Sequence, residues 1–439
     1  MNRLLAGLFW ALLYLVLVLS PLALMLLPPR PEPRPFTREL AAVLGFVALV
    51  QIGLQFVLVA RFQRVTEPYG IDMILQYHRQ IGFASLAVVV GHAALAAAAQ
   101  PALLPLLLAP WRAGSALGYG LAATLAFLLL IGLSVWRRRV RLSYELWRGS
   151  HAALGATLLG LAMLHVRDAG VYTNSTFKWG LWLGFAGAML AVYGYLRLLK
   201  PALQARAPYR VTDVRVERGR SWTLALEPQG HAGLRFLPGQ FVWLKLGASP
   251  FNRQEHPFSF SSSAEHPERL EFGIKALGDF TATIGDTSVG TPAYLDGPHG
   301  SMSIDRYPAA GYVFIAGGVG VTPIVSMLRT MADRDDRRPC LLIYADDSWE
   351  RMPFREQIAE LEQRMELDVV HVLEEPHEGW DGEIGRIDAA MLERCLPRER
   401  IRRDHFVCGP NPMIDAIEDM LLARGVPASA IHSERFTLV

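Results

Sequence analysis

The chain has 439 residues, of which 51% are hydrophobic, and its formal net charge is +2. This length predicts two to four domains, and the near-neutral charge gives no indication of a nucleic-acid partner. The three cysteines, Cys340, Cys395 and Cys408, are widely spaced and form no Cys-x-x-Cys pair, so neither an iron–sulfur cluster nor a zinc ribbon is expected.

Hydrophobic residues are concentrated in residues 1–200, whereas the remainder has the composition of a soluble protein. Six apolar stretches are predicted to cross a bilayer as helices. These stretches cover residues 4–27, 39–60, 77–99, 115–135, 150–166 and 178–198. The first run is too long for the apolar region of a signal peptide, so we expect a retained membrane helix. Residues 1–200 are therefore predicted to form a six-span membrane domain.

The distribution of positive charges favours one orientation of these spans. Four arginines lie between spans four and five, and the segments after spans two and six add more, while the opposite loops carry fewer. Positive charges are enriched in cytoplasmic loops. The N-terminus and the soluble half are thus expected in the cytoplasm of a multi-pass protein of the plasma or inner membrane.

Four histidines occur in the third and fifth apolar stretches, and no other histidine precedes His231. They form two series, His78 with His92 and His151 with His165, each with a step of fourteen residues. Fourteen residues make just under four helical turns, so both histidines of a series share one helix face. Along the helix axis they lie about 21 Å apart, which is most of a bilayer core of ~30 Å. Imidazoles at such depth are expected to be functional.

Two helices that each carry two histidines at matching depths predict two haems, each held by one imidazole from each helix. Spans three and five run in the same direction, so His78 would face His151 near the cytoplasm and His92 would face His165 near the outside. A zinc site needs three or four ligands at one depth, and each depth offers two. The alternative is that the histidines only form hydrogen bonds between helices.

From Tyr209 the sequence changes to short alternating runs, which predict a small antiparallel β-barrel over residues 207–306. Two stretches combine aromatic rings, hydroxyls and backbone amides that suit a flavin, although a serine-rich loop is the alternative for the first. The candidate residues are His256, Pro257, Phe258 and Ser259 in the first stretch, and Ile274, Lys275, Gly278, Asp279, Phe280 and Thr281 in the second. The DGPHG segment at 296–300 is expected to be a tight turn that closes the barrel.

Residues 309–439 alternate between strand and helix patterns, as expected for a parallel-sheet nucleotide-binding domain. The GGVGVTP segment follows an apolar strand and precedes a helix, where glycines let the backbone approach a pyrophosphate. The CGP segment ends the last long strand, where a nicotinamide would lie. The candidate residues are Gly317, Gly318, Gly320, Thr322, Pro323, Cys408, Gly409 and Pro410.

Two further residues are candidates for the place where hydride transfer occurs. Cys408 either meets the nicotinamide or is a small buried hydrophobic residue at a strand end. Phe436, near the C-terminus, is either a core aromatic or a ring that covers the flavin.

With these motifs in place, the chain resembles the ferric reductase and NADPH oxidase superfamily over nearly its whole length. The resemblance implies inner haem ligands at His78 and His151 and outer ligands at His92 and His165. HPFS (256–259) and GDFT (278–281) look like the family's flavin signatures, and DGPHG like its barrel-closing turn. GGVGVTP and CGP look like its nicotinamide dinucleotide sites, and SERF (433–436) resembles its C-terminal aromatic motif.

Two positions depart from the family pattern. The second nucleotide strand continues into Asp346 and Asp347, where NADP-using relatives often have an arginine. Carboxylates there would repel a 2′-phosphate and accept hydrogen bonds from a ribose 2′-hydroxyl, so the sequence favours NADH or a loose selectivity between NADH and NADPH. Ala96 follows His92 by one turn, where some superoxide-producing relatives carry another histidine, and this argues against oxygen as a dedicated acceptor.

The expected function is that of a membrane flavocytochrome that passes electrons from NADH or NADPH, through FAD and two bis-histidine haems, to an acceptor such as ferric iron or oxygen outside. One alternative is an NAD(P)H-dependent flavin reductase whose haems serve a membrane quinone or a partner protein. Another is a haem-carrying membrane anchor or binding module for a soluble reductase.

Overall fold

The computed structural model describes residues 3–66, 68–108, 112 and 114–435. The chain forms two compact units, Met1–Lys200 and Pro201–Val439.

Within the described residues, six helices of the first unit are long and apolar enough to cross a membrane. These are α1 (Arg3–Leu26), α2 (Phe36–Leu58), α4 (Ile71–Ala99), α6 (Ser115–Val135), α7 (Tyr144–Ala169) and α8 (Thr176–Gly194). The described residues of this unit also form the short helices α3 (Gln63–Thr66) and α5 (Leu104–Leu108), and α9 (Lys200–Gln204) begins at its last residue.

Helices α4 and α7 begin six residues before the apolar stretches predicted at 77–99 and 150–166, and α7 also continues to Ala169. Helix α7 begins where the Ser143 side chain accepts a hydrogen bond from the Leu146 N–H at 3.3 Å, and it ends at Gly170, whose φ is 66°. A serine N-cap and a left-handed glycine are strong helix boundaries. Polar residues such as Arg79 and Arg148 interrupt the apolar pattern near the start of each helix without interrupting the helix.

Helices α2 and α4 form one antiparallel hairpin, and α6 and α7 form another. In the first hairpin, Ser85 contacts Gln51 and His92 contacts Ala41, so positions on the two helices run in opposite order. Helix α2 packs closely on α8, since a Cβ added at Gly53 would overlap the Phe185 ring and lie 3.2 Å from Cγ of Met189. Close helix contacts at small residues are typical of membrane bundles.

The second unit begins with an antiparallel sheet in the strand order β4-β3-β6-β1-β2-β5. Its strands are β1 (Tyr209–Glu217), β2 (Ser221–Pro228), β3 (Phe241–Leu246), β4 (His256–Ser259), β5 (Leu270–Lys275) and β6 (Pro292–His299). A bridge between Phe260 and Phe272 brings the two ends of this order together, and both rings are fully buried. The short helix α10 (Asp279–Ala282) follows β5.

The prediction of a tight turn at residues 296–300 is wrong. Asp296 pairs with Trp243 and His299 pairs with Phe241, so the segment is the end of strand β6. The register shifts between these two pairs, and such a bulge accommodates a Gly-Pro step that could not continue a regular ladder.

The rest of the second unit is a parallel sheet in the order β10-β9-β8-β7-β11-β12. Its strands are β7 (Tyr312–Gly317), β8 (Cys340–Asp346), β9 (Leu367–Leu373), β10 (Glu383–Ile384), β11 (Asp404–Cys408) and β12 (Ile431–Glu434). Its helices are α11 (Val321–Asp333), α12 (Arg355–Arg364), α13 (Ala389–Cys395) and α14 (Asn411–Ala423). The predicted fold class, a six-helix membrane bundle followed by an antiparallel β domain and a parallel α/β domain, is confirmed.

Helix α11 joins the two sheets of the second unit. The Ser326 hydroxyl donates to the Ser262 carbonyl at 2.7 Å, and the Ala264 N–H donates to the Thr330 hydroxyl at 2.9 Å. Arg329 donates to Glu271 of β5 at 3.0 Å. Burial opposes ionisation of Glu271, but Arg329 and neighbouring guanidiniums outweigh it and lower its pKa. The serines after β4 thus hold α11 in place.

Candidate functional site

The membrane unit brings its four histidines together as two pairs. The ring centroids of His78 on α4 and His151 on α7 lie 6.1 Å apart. Those of His92 and His165, on the same two helices, lie 6.0 Å apart. Helices α4 and α7 therefore run in the same direction.

The distance within each pair suits two imidazoles on opposite sides of one metal ion. An imidazole nitrogen binds a metal at about 2.0 Å, and the ring centroid lies roughly 1 Å behind it, so two axial rings on one ion are about 6 Å apart. Within the described ranges, no group of three or more His, Cys, Asp or Glu side chains is arranged to hold a metal ion. Each pair would suit a haem iron, which needs two imidazoles, better than a zinc ion, which needs three or four ligands at one place.

Backbone carbonyls fix the ring orientation in the second pair. The Nδ1 atom of His92 lies 2.7 Å from the Ala41 carbonyl oxygen on α2, and Nδ1 of His165 lies 2.8 Å from the Ala116 carbonyl oxygen on α6. A carbonyl only accepts, so both Nδ1 atoms carry the proton. The lone pair of each Nε2 is then available to a metal.

A glycine lies four residues after each of these carbonyls. A Cβ added at Gly45 would lie 2.9 Å from Nδ1 of His92, and one added at Gly120 would lie 2.9 Å from Nδ1 of His165. Neither position has room for a side chain. The two hairpins therefore hold His92 and His165 with the same arrangement of a carbonyl and a glycine.

The first pair is held differently. Nδ1 of His151 lies 3.0 Å from the Ser134 hydroxyl, which donates to the Leu130 carbonyl at 2.7 Å and accepts from Nε1 of Trp147 at 3.2 Å. Since the serine proton is used on Leu130, the His151 Nδ1 must donate. The Nδ1 atom of His78 is buried and has no hydrogen-bond partner in the part of the chain that is described.

The two stretches predicted to bind a flavin lie against each other in the second unit. The His256 ring stacks on the Phe280 ring with centroids 4.2 Å apart, and the Phe258 ring lies 6.2 Å from Phe280. The Thr281 hydroxyl accepts from the Leu277 and Gly278 N–H groups at 2.9 Å and so shapes the loop before α10.

The remaining flavin candidates occupy distinct environments. Pro257 pairs with Trp243 in the sheet, and Ser259 is buried. Ile274 is also buried and belongs to the barrel core, so its side chain faces away from any surface cleft. Lys275, at the end of β5, extends toward Gly318: a Cβ on that glycine would lie 3.7 Å from the lysine Nζ.

The two glycine-containing segments of the nucleotide domain meet at the carboxyl edge of the parallel sheet. A Cβ at Gly320 would lie 2.8 Å from the Gly409 nitrogen, and one at Gly317 would lie 2.6 Å from the Met413 sulfur. Gly318 has a φ of 55°. Thr322 donates to the Val319 carbonyl at 2.8 Å, which closes the turn before α11. This close backbone approach is the property that pyrophosphate binding requires.

Pro323 lies in the first turn of α11 and Pro410 precedes α14. Cys408 is fully buried, and burial raises the pKa of its thiol. A neutral thiol packed at the strand end is compatible with contact to a nicotinamide face, but not with a nucleophile. Phe436 lies outside the described residues.

The two aspartates after β8 differ in environment. Asp346 is 8% exposed, its Oδ1 accepts from the Asp347 N–H at 2.8 Å, and burial raises its pKa. Asp347 is about half exposed and forms a 2.7 Å ion pair with Arg351. Beyond this edge, Trp349 lies 5.0 Å from His371 and 5.4 Å from Trp380, between ring centroids.

Three regions of the chain match models of known protein families. Residues 44–162 match the model of a ferric reductase like transmembrane component, residues 209–316 an FAD-binding domain, and residues 314–419 an oxidoreductase NAD-binding domain.

Similar proteins include reductase components. The chain is 31% identical over 235 residues to the reductase component of propane 2-monooxygenase of Rhodococcus jostii (strain RHA1), covering 52% of this chain and 63% of that protein. It is 29% identical over 209 residues to the glycine betaine monooxygenase reductase subunit of Pseudomonas aeruginosa (strain UCBPP-PA14), covering 46% of this chain and 56% of that protein. The chain thus spans less than two thirds of the length of these relatives.

Among solved structures, the FAD/NAD-binding domain of a nitric oxide dioxygenase from Vibrio cholerae O1 biovar El Tor is 23% identical, with a TM-score of 0.47 over 52% of this chain and 97% of that one.

The three family matches follow one another in the order of a membrane helix bundle, a flavin domain and a nicotinamide dinucleotide domain. The chain therefore combines a region similar to a ferric reductase like transmembrane component with regions similar to an FAD-binding domain and an oxidoreductase NAD-binding domain.

Proposed function

We propose that this protein carries electrons from NADH, through FAD and two haems in the membrane unit, to an acceptor on the opposite side of the membrane. The observation that carries the proposal is the geometry of the histidine pairs. The ring centroids lie 6.1 and 6.0 Å apart in the two pairs, a distance at which both imidazoles could bind one iron, and at least three of the four rings direct their Nδ1 proton to a protein acceptor.

The residues that would hold the haems are His78 with His151 and His92 with His165. When bound, FAD accepts a hydride from the nicotinamide and releases electrons singly, and haem iron carries single electrons. The Ala41 and Ala116 carbonyls and the Ser134 hydroxyl keep the rings in the tautomer that a metal needs. Electrons would enter on the side of His78 and His151, and the positive charges of the loops support a cytoplasmic location for that side.

In the soluble unit, the stretches at 256–259 and 278–281 would hold FAD, and those at 317–323 and 408–410 would hold the nicotinamide dinucleotide. The cluster of Gly317, Gly320 and Gly409 supports this assignment because it leaves backbone amides accessible without side chains in the way. The choice of NADH is supported by Asp346 and Asp347, although Arg351 neutralises part of the Asp347 charge.

The composition of the purified protein tests the proposal. We expect two low-spin haems and one FAD per chain from a pyridine haemochrome assay with flavin extraction, and reduction of both haems by NADH. A haem content of one per chain would rule out the pairing of the four histidines.

A second measurement tests the nucleotide choice. The kcat/KM for NADH should exceed that for NADPH, and Asp347→Arg should bring the two values closer together. The control is Asp335→Arg, which changes an exposed aspartate of a separate ion pair and should leave the ratio of the two kcat/KM values unchanged. A tenfold preference of the unmodified protein for NADPH, about 1.4 kcal/mol, would show that the strand end does not select NADH.

The names of the similar proteins favour a second candidate, in which the soluble unit feeds a separate partner protein and the membrane unit serves as a haem-carrying anchor. The two candidates differ in what NADH reduces. In the anchor function, reduction of a soluble acceptor such as ferricyanide accounts for all turnover, and the haems stay oxidised when NADH is added.

A further inference from the structure

Two hydrophobic side chains of the second unit are exposed close to the point where the chain leaves the membrane unit. Phe251, in the loop between β3 and β4, is 52% exposed, and Leu203 on α9 is 44% exposed. A single exposed hydrophobic residue is common on protein surfaces and needs no explanation. These two residues are a different case, because one buried side chain brings their segments together.

The side chain that joins the two segments is the buried Lys245 of β3. Its Nζ donates to the Gln204 side-chain oxygen at 3.2 Å and to the Pro250 carbonyl at 2.8 Å. These two acceptors belong to the immediate chain neighbours of Leu203 and Phe251. A buried ammonium is costly unless its hydrogen bonds are satisfied, so this contact fixes α9 beside the loop between β3 and β4.

The loop that carries Phe251 is closed by its own hydrogen bonds. The Ser249 hydroxyl accepts from the Phe251 N–H at 3.2 Å, and the Asn252 side-chain amide donates to the Leu246 carbonyl at 3.3 Å. The Gln254 N–H donates to the Asn252 Oδ1 at 3.1 Å. The exposed ring therefore belongs to an ordered loop.

The chain connection keeps this part of the second unit near the bilayer. The membrane unit ends at Lys200, and only residues 201–203 separate it from Gln204. Even a fully extended chain covers only ~14 Å between Lys200 and Gln204. Leu198 and Leu199, the last hydrophobic residues before Lys200, are exposed on the surface of the membrane unit. Gln204 therefore stays close to the headgroup region.

The charges of these two segments favour an anionic surface. Residues 200–209 and 247–254 contain no aspartate or glutamate, and their basic residues are Lys200, Arg206 and Arg253. Glu255, the next carboxylate in the loop, is buried and lies 3.6 Å from the Lys245 ammonium. Basic residues beside a membrane span are attracted to anionic phospholipids. Phe and Leu side chains that accompany basic residues enter the boundary between headgroups and acyl chains.

We propose that residues 200–206 and 247–254 form a bilayer-contact surface, in which Phe251 and Leu203 enter the headgroup boundary and the basic side chains meet anionic phospholipid headgroups. Glu255, at the end of the loop, is followed directly by His256 of the proposed flavin-binding stretch. The contact thus holds that stretch next to the bilayer. The surface does not depend on the proposed electron path, because lipid contact requires no reduction of FAD or haem.

Electron paramagnetic resonance tests the contact on the full-length, cofactor-loaded protein in nanodiscs of phosphatidylcholine and phosphatidylglycerol. A nitroxide is attached to Phe251→Cys and, as the control, to Ile384→Cys on β10, where the native side chain is 60% exposed. Both variants also carry Cys395→Ser, because Cys340 and Cys408 are buried and need no replacement. Power saturation measures collisions of the nitroxide with oxygen, which concentrates in lipid, and with a water-soluble nickel complex. We expect the ratio of oxygen to nickel accessibility to be at least about threefold higher at position 251 than at position 384.

Equal ratios at the two positions place the loop in water and overturn the proposal. Low accessibility to both reagents at position 251 indicates a contact with protein and also overturns it. In nanodiscs without phosphatidylglycerol the ratio at position 251 should fall, and Arg206→Gln should reduce this difference between the two lipid compositions. Arg386→Gln, which changes an exposed ion pair of the nucleotide domain, should not. A ratio that ignores phosphatidylglycerol overturns the assignment of anionic headgroups.

The unmodified chain gives a second measurement, which no substitution can disturb. A phosphatidylglycerol with a photoactivatable diazirine near its headgroup is added to the nanodiscs, and crosslinked peptides are identified by mass spectrometry. We expect labelling of residues 200–206 or 247–254 in addition to the membrane helices, and its absence from both segments overturns the proposal. Neither measurement uses NADH, so a failure of haem reduction would contradict the proposed function and leave this surface in place.

Discussion

The two histidine pairs have nearly the same separation, but they are held by different means. His92 and His165 donate to backbone carbonyls and lie against glycines, in the same arrangement on both hairpins. In the other pair, His151 depends on two side chains, Ser134 and Trp147, and His78 has no Nδ1 partner among the described residues. His92 and His165, the proposed outer pair, are therefore held by the helix backbone, while His151 of the proposed inner pair is held by side chains.

Removing an inner haem ligand should have the largest effect, because it should stop electron transfer to the outer haem. The inner and outer positions are about 21 Å apart along the helices, so a single electron transfer past a missing inner haem would be slow. With His151→Ala, stopped-flow absorbance should show normal reduction of FAD by NADH while the outer haem stays oxidised.

The Soret band of the outer haem must be present in this variant, since misfolding would give the same kinetics. His92→Ala is the matched variant: it should lose the outer haem and keep reduction of the inner haem. If the outer haem of His151→Ala were reduced at the normal rate, the linear path would be wrong.

The next largest effect, on the outer haem content, should come from replacing the glycines that lie against His92 and His165. Gly45→Ala or Gly120→Ala places a methyl group 2.9 Å from the Nδ1 atom of an outer ligand, so the ring must move or lose its carbonyl hydrogen bond. We expect loss of at least half of the outer haem, measured by pyridine haemochrome, with the inner haem retained.

Gly118→Ala is the control, because a Cβ at Gly118 meets no atom within 4 Å. It should keep both haems and be slightly more stable, since alanine favours a helix over glycine by roughly 1 kcal/mol. Full haem content in both Gly45→Ala and Gly120→Ala would show that the backbone does not fix the outer pair.

A smaller effect is expected from Ser134→Ala. An Nδ1–H that donates to an acceptor makes the imidazole more electron-rich and favours ferric iron. Removing the Ser134 oxygen should therefore raise the midpoint potential of the inner haem. The outer haem of the same molecule is an internal control in the redox titration. A shift of both haems, or of the outer one alone, would contradict the assignment of Ser134 to the inner pair.

Trp147→Phe should have the smallest effect, a small change in the midpoint potential of the inner haem. Trp147 donates to the Ser134 oxygen and competes with His151 for it. Without the indole N–H, the serine should accept more strongly from His151, so the inner potential should fall slightly, opposite in sign to Ser134→Ala. A rise in potential on Trp147→Phe would indicate that the indole acts through its contact with the imidazole ring rather than through Ser134.

The sequence was sufficient to predict the fold class, because apolar length and strand–helix alternation are strong signals. Caps at Ser143 and Gly170, rather than hydropathy, decide where α7 begins and ends. The sequence did not predict a strand at Asp296 and His299, because the Gly and Pro between them are typical of turns. In the structure a bulge lets this Gly-Pro step remain within the strand.

The candidate site was predictable only where side chains carry the chemistry. The fourteen-residue step of the histidines is visible in the sequence, but the carbonyls of Ala41 and Ala116 have no side-chain signature. The one available signal is the glycine four residues after each alanine, and apolar helices are rich in both residues. Tertiary contacts also explain why Ile274 belongs to the barrel core although it adjoins a flavin candidate.

The shared arrangement of the two hairpins has the form of an internal repeat. The same step along the chain separates His78 from His151 and His92 from His165, and Ala41 and Gly45 recur as Ala116 and Gly120. Two hairpins of the same direction are related by an approximate twofold axis along the membrane normal, as in parallel internal repeats. A single hairpin that paired with its own copy about that axis would present four imidazoles in the same two pairs. The correspondence is incomplete, because Ser134 contacts His151 while Nδ1 of His78 has no partner among the described residues.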